Sequence, residues 1–202
     1  MEFVGDRLYH IYNQGNNRER IFFCSDNYQF FLQKMERHLL KHCNVLAYCL
    51  MPNHFHWMIY VPDEYDDDLS ESRTKPNIQP LNREIAILLS SYTQAINKSY
   101  GRSGSLIRSR TKSKCLNKSG SRDEQYPLTC FLYIHQNPLK AKLSSSLFGW
   151  PYSSYRDYTG ERSGNLCSLQ LGRRSLNLPE DGKEFEKFSI RSLNEDVVQE
   201  IF

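Results

Sequence analysis

Apolar and polar positions alternate along RLYHIYNQ, Arg7 to Gln14, which predicts a first strand, and GNNRERIFFCS after it reads as a loop. The period then lengthens. Tyr28, Phe31, Leu32, Met35 and Leu39 fall at helical spacing and predict a helix from Asp26 to Cys43, with Asp26 as N-cap and Gln29 as its capping-box partner. VLAYCL, Val45 to Leu50, predicts a second strand, MPN a tight turn, and HFHWMIYV, His54 to Val61, a third strand paired to the second as a hairpin. The acidic stretch from Pro62 to Pro80 has too little apolar content to pack and reads as a flexible loop. Leu81, Ile85, Leu88, Leu89, Tyr92 and Ile96 then mark a second amphipathic helix ending near Tyr100 and Gly101. A fourth strand is predicted around Thr111 to Leu116. A third helix starts near Tyr126 or Pro127 and stops at Asn137, because Pro138 disfavours helix at the residue before it. This element order predicts an α+β fold, a ferredoxin-like split β-α-β antiparallel sheet with helices on one face, followed by one more helix and a tail with few core positions.

A chain of 202 residues, 39% hydrophobic, holds one domain with appendages. No apolar run approaches the ~20 residues needed to cross a bilayer, and MEFVGDRLYH lacks a secretory layout, so no membrane partner and a cytoplasmic location are expected. The six cysteines form no C-x-x-C pair, which argues against a cysteine zinc site. Net charge is only +3, but it is segregated. From Ile85 to Arg122 there is no Asp or Glu, yet Lys98, Arg102, Arg108, Arg110, Lys112, Lys114, Lys118 and Arg122 are present. Those eight cations exceed the whole net charge, so the rest of the chain is net acidic. Local clustering of this kind suits a polyanion, and a solvated basic loop is the plain alternative.

Candidate chemistry begins in the third strand. His54, His56, Met58 and Tyr60 point to one side of it, and Phe55, Trp57, Ile59 and Val61 to the other, so the two imidazoles share a face. An isolated H-x-H is a weak metal signal, and two structural histidines on a half-exposed sheet would look the same. The third helix adds to it. Tyr133 and Asn137 lie at i and i+4, one turn apart on one face. Asn137 offers a hard carbonyl oxygen suited to Mg²⁺ or Mn²⁺, and Tyr133 a phenol able to attack phosphorus; a packed core tyrosine is the alternative for Tyr133.

YHIYNQGNNRERIFF, AYCLMPNHFHWMIYVP, YIHQNP and GWPYSSYRDY together resemble the single-tyrosine HUH transposases, most closely the REP-associated tyrosine transposases. The similarity runs from Arg7 to Tyr158. It implies an HUH nuclease domain over residues 1–158, with 159–202 a tail that does not fold independently. By resemblance His54 and His56 are the metal-binding pair, Tyr133 the nucleophile and Asn137 the third ligand, with His135 and Gln136 close enough in sequence to compete for that last role. LIRSRTKS departs from the family pattern by lacking two aromatics before the fourth strand, and the acidic loop is long.

The implied activity is cleavage and rejoining of single-stranded DNA beside a hairpin, through a 5′-phosphotyrosine and with Mg²⁺ or Mn²⁺. Arg102, Arg108, Arg110, Lys112, Lys114 and Lys118 are the expected DNA-binding residues. Trp150, Tyr152 and Tyr155 are candidates to stack on bases or to pack at the domain's edge. The protein is expected as a monomer or a homodimer. The alternative function is a domesticated hairpin-binding protein without cleavage.

Overall fold

The computed structural model describes residues 1–64, 79–117, 125–193 and 198–199. Most of the expected acidic loop, together with Lys118 and Arg122, lies outside the described residues. Elements follow in the order β1 (Arg7–Gln14), α1 (Ser25–Leu39), β2 (Asn44–Met51), β3 (His54–Val61), α2 (Pro80–Tyr100), β4 (Lys112–Cys115) and α3 (Tyr126–Lys140). Three short helices close the described chain, α4 (Tyr155–Tyr158), α5 (Leu169–Leu176) and α6 (Gly182–Ser189).

The strands pair in the order β2-β3-β1-β4, and every pairing is antiparallel. Each helix crossover carries the chain past one strand position, so β3 comes to lie beside β1 although 39 residues separate their facing ends, Gln14 and His54. This is the ferredoxin-like arrangement. Pairing sets Tyr12 opposite His56 and Gln14 opposite His54, which places part of β1 on the histidine face.

Alternation sorts the two faces as expected. Phe55, Trp57, Ile59 and Val61 join Tyr9, Ile11, Tyr48 and Leu50 under the apolar stripes of α1 and α2. Burying each of these large side chains contributes about 1.5–3 kcal/mol. The histidine face is not left to solvent: α3 packs across it, seating Cys130, Phe131 and Ile134 on Leu46, Cys49 and Met58. The tail has a larger part than its sequence suggests, since Phe185 of α6 is fully buried against Phe131, Tyr155 and Tyr158. Its helices are short but amphipathic, and their apolar sides bury against β2 and α3.

Three helix boundaries differ from the sequence expectation, and one is the end of α1, at Leu39 rather than Cys43. Asp26 sits inside the first turn of α1 and Cys24 holds the cap position without a side-chain capping bond, while Asn27 Oδ1 accepts from the N–H of Phe23, just before the helix, at 3.0 Å. Pro138 does not end α3, which runs on to Lys140. A proline this near a C-terminus removes a single backbone bond, and burial of Gln136, Asn137 and Pro138 against the rest of the domain holds the last turn. Gly101 closes α2 in the left-handed region, φ 60°, as a glycine readily does.

The GWPYSSYRDY segment covers the outer edge of β2. Leu50 N–H donates to Tyr152 O at 2.9 Å, Ser154 N–H to Tyr48 O at 3.0 Å and Trp150 Nε1 to Leu50 O at 3.0 Å. Arg162 pins the segment through a bidentate pair with Asp157, both contacts 2.7 Å, and a further bond to Ser153 O. An edge occupied this way is closed to pairing with another strand.

Candidate active site

His54 and His56 project from β3 toward α3, with ring centroids 5.1 Å apart and planes at 84°. His54 Nδ1 donates to Asn53 Oδ1 at 2.7 Å, so Nε2 is the lone-pair atom of that ring. His56 Nδ1 shares a hydrogen bond of 2.9 Å with His10 Nε2. His10 comes from β1, is fully buried, and stacks on Tyr12 with centroids 4.7 Å apart.

From above, α3 brings the other candidates. The Tyr133 ring meets His56 edge-on, centroids 5.7 Å apart and planes at 89°. Asn137, one turn later, hydrogen-bonds both His54 and Tyr133. The two competitors for its place are engaged elsewhere. His135 is 1% exposed and shares a 2.8 Å hydrogen bond through Nε2 with Ser154 Oγ, while Gln136 Nε2 donates to Ser189 O and Arg191 O, each at 2.9 Å. His54, His56 and Tyr133 thus line one pocket of about 280 Å³, whose walls also include Tyr12, Asn13 and Gln14, and Asn137 is tied to it through His54 and Tyr133.

Of the expected DNA-binding cations, Arg108, Arg110 and Lys112 line that same pocket. Lys114 lies one strand step along, over the Tyr126 ring at 5.1 Å, in a groove that continues past Tyr12 and Lys112. Arg102 is not brought to the pocket: it pairs with Glu19 at 3.3 Å and sits over Phe23. Lys118 lies outside the described residues. The aromatics considered for base stacking pack against the domain instead, with Tyr152 stacked on Tyr28 at 3.6 Å, Trp150 edge-on to both and Tyr155 buried.

Electrostatics follow burial. His54 titrates below the ordinary histidine range because burial disfavours its charged form, partly offset by the Asn137 hydrogen bond. His56 lies well below that range through burial first and then the adjacent His10 and His54 rings. Both imidazoles are therefore neutral at pH 7, the form that binds metals. Burial pushes the Tyr133 phenol up to about 12 against the opposing Asn137 contact, so the resting hydroxyl is protonated. Lys140 Nζ lies over the Tyr133 ring, 5.6 Å from its centre.

A divalent cation fits the donor set in chemistry. Among the described residues no three His, Cys, Asp or Glu side chains form a metal cluster, so a third protein donor beside the two histidines would have to be an amide or hydroxyl oxygen, such as that of Asn137 next to His54. Two neutral imidazoles and an amide oxygen would leave a divalent ion's charge uncompensated, which favours an anionic ligand such as phosphate. The pocket's cationic wall points to the same class of ligand.

Sequence reading missed His10 and Tyr12. They alternate in register along RLYHIYNQ, and the observed strand order β2-β3-β1-β4 sets that strand beside the histidine strand, so the signal becomes available once the sheet is assembled.

No protein-family model matches the chain, and no curated protein matches it in sequence. Among solved structures it is similar to a REP-associated tyrosine transposase bound to a REP hairpin, at 14% identity and a TM-score of 0.57, over 83% of this chain and 92% of that one. The two share their fold. No helix among the described residues is long and apolar enough to cross a membrane.

Proposed function

We propose that the chain is a metal-dependent tyrosine transposase of the single-tyrosine HUH type, cleaving and rejoining single-stranded DNA beside a hairpin, with residues 1–158 as its nuclease domain. The observation that carries this reading is the meeting of Tyr133, His54 and His56 at one cation-walled pocket, with Asn137 contacting His54 and Tyr133, on a fold shared with a hairpin-bound transposase.

In this reading Arg108, Arg110 and Lys112 bind backbone phosphates and bring one of them to Tyr133. Mg²⁺ or Mn²⁺ held by His54, His56 and Asn137 would neutralise the non-bridging oxygens of that phosphate. Tyr133 Oη forms a bond to phosphorus while the bond to the 3′ oxygen breaks. The phenol proton leaves as the new bond forms, and the departing 3′ oxygen takes one up. A 5′-phosphotyrosine holds the phosphodiester's energy, so a 3′-hydroxyl of another strand can reverse the step and join. The high phenol pKa keeps Tyr133 inert until a phosphate and its counter-charges arrive.

Incubation with Mn²⁺ and a labelled hairpin oligonucleotide carrying a single-stranded flank should give an adduct that survives denaturing gel electrophoresis. Tyr133→Phe should abolish it. Adduct formation by the Phe variant would refute the nucleophile, and tight hairpin binding with no adduct in the wild type would favour a binding protein without cleavage.

A further inference from the structure

We infer that His10 is a positioning residue that sets the tautomer and aim of His56, an inference that rests on the proposed function for its consequence but not for its geometry. The His10 Nε2 to His56 Nδ1 distance is 2.9 Å, and the two residues are 0% and 3% exposed. A hydrogen bond between two neutral imidazoles has one donor and one acceptor. With His10 Nε2 accepting, His56 carries its proton on Nδ1 and presents the Nε2 lone pair; with the roles reversed, His56 is protonated on Nε2 and has no lone pair there to offer. Free imidazole side chains prefer the Nε2–H form, so the useful tautomer has to be imposed.

The surroundings hold His10 against His56. The rings of His10 and His56 lie nearly parallel, 19° apart, and His10 is in turn stacked on Tyr12 at 21°. Adjacent antiparallel strands fix the spacing, since His10 pairs with Met58 and Tyr12 with His56 in the β1–β3 ladder. His10 is therefore held by backbone pairing and by ring packing and has no rotamer freedom to follow His56. His54 receives the same service from a different group: the Asn53 amide oxygen accepts its Nδ1–H at 2.7 Å. Both imidazoles of the pair thus have Nδ1 tied back, and Nε2 is the atom each can turn to a ligand. Partners of this kind to metal-binding histidines typically carry a 10–100-fold effect on affinity.

The test reads the tautomer directly. Long-range ¹⁵N–¹H correlation spectra of the wild type without metal should show His56 protonated on Nδ1. His10→Gln, whose amide can accept the same bond, should retain that form, whereas His10→Leu should shift His56 toward Nε2–H. Mn²⁺ affinity should fall about 10–100-fold in His10→Leu and stay within about threefold in His10→Gln. A wild-type His56 protonated on Nε2, or an unchanged tautomer in a folded Leu variant, overturns the inference. If the Leu variant does not fold, the wild-type and Gln spectra still decide it. Wild-type protein that binds no Mn²⁺ yet shows the Nδ1–H form would refute the metal reading and leave the positioning of His56 standing.

Discussion

Acid should destabilise this protein through His135 in a measurable and separable way. The imidazole is buried among Phe131, Tyr155, Tyr158 and Phe185, and burial lowers its pKa to about 3 from the ordinary 6.5. The folded value lies below the unfolded one, so protons bind the unfolded chain first. The stabilisation is complete above the unfolded pKa and is lost progressively as pH falls through 6.5 toward 3. At pH 5 the folded ring is still neutral and the unfolded one is almost fully protonated, a gap of about 2 kcal/mol relative to pH 7. The figure depends only on the unfolded pKa, because pH 5 lies about two units above the folded one. His54 and His56 shift in the same direction and add to the total loss. The assay is urea unfolding of wild type and His135→Gln at pH 7 and pH 5, with the amide replacing Nε2 toward Ser154. The readout is the pH 7 to 5 difference, so a constant cost of the substitution cancels. The variant should lose about 2 kcal/mol less than the wild type. Equal losses would mean that His135 is solvated, and the case for excluding it from the Tyr133 pocket would fall with it.

Phe185→Ala should cost about 3–5 kcal/mol, because it empties a fully buried ring site, with a melting point lower by about 2–4 °C for each kcal/mol; a cost under about 1 kcal/mol would show the tail to be detached from the core. Arg110→Ala should reduce the slope of log affinity against log salt for hairpin DNA by about 0.7–0.9, as for one lost phosphate contact, whereas Arg102→Ala should leave it unchanged; the opposite ranking would relocate the DNA path. Chelation with EDTA should abolish adduct formation and spare hairpin binding, and adduct that persists without metal would remove the role given to His54, His56 and Asn137.

The pocket divides its labour by element. Strand β3 provides the imidazole pair, helix α3 the phenol, and the segment from Arg108 to Lys112 the cations.

Much of this was legible in the amino-acid sequence, for local reasons. Strand alternation by itself puts His54 and His56 on one side and Phe55, Trp57 and Ile59 on the other, and a helical period by itself puts Tyr133 and Asn137 one turn apart. His135 and Gln136 remain competitors of Asn137 in the sequence, and the fold engages them with Ser154 and with Ser189 and Arg191 instead. Which of those faces turns to the histidines is not local: it depends on how α3 docks, and that follows from Phe131 and Ile134 seating on Leu46 and Met58 while α6 closes over the far side. The partnership of His10 with His56 likewise depends on β1 lying beside β3, a pairing between segments about 40 residues apart. Charge clustering nominated six cations, but only the path of the backbone after α2 sends Arg108, Arg110 and Lys112 to the pocket and Arg102 to Glu19. Trp150 and Tyr152 had the composition of a base-stacking platform, and the open edge of β2 together with the Tyr28 ring claimed them for packing. Periodicity decides which side chains share a face; long-range burial decides what each face meets.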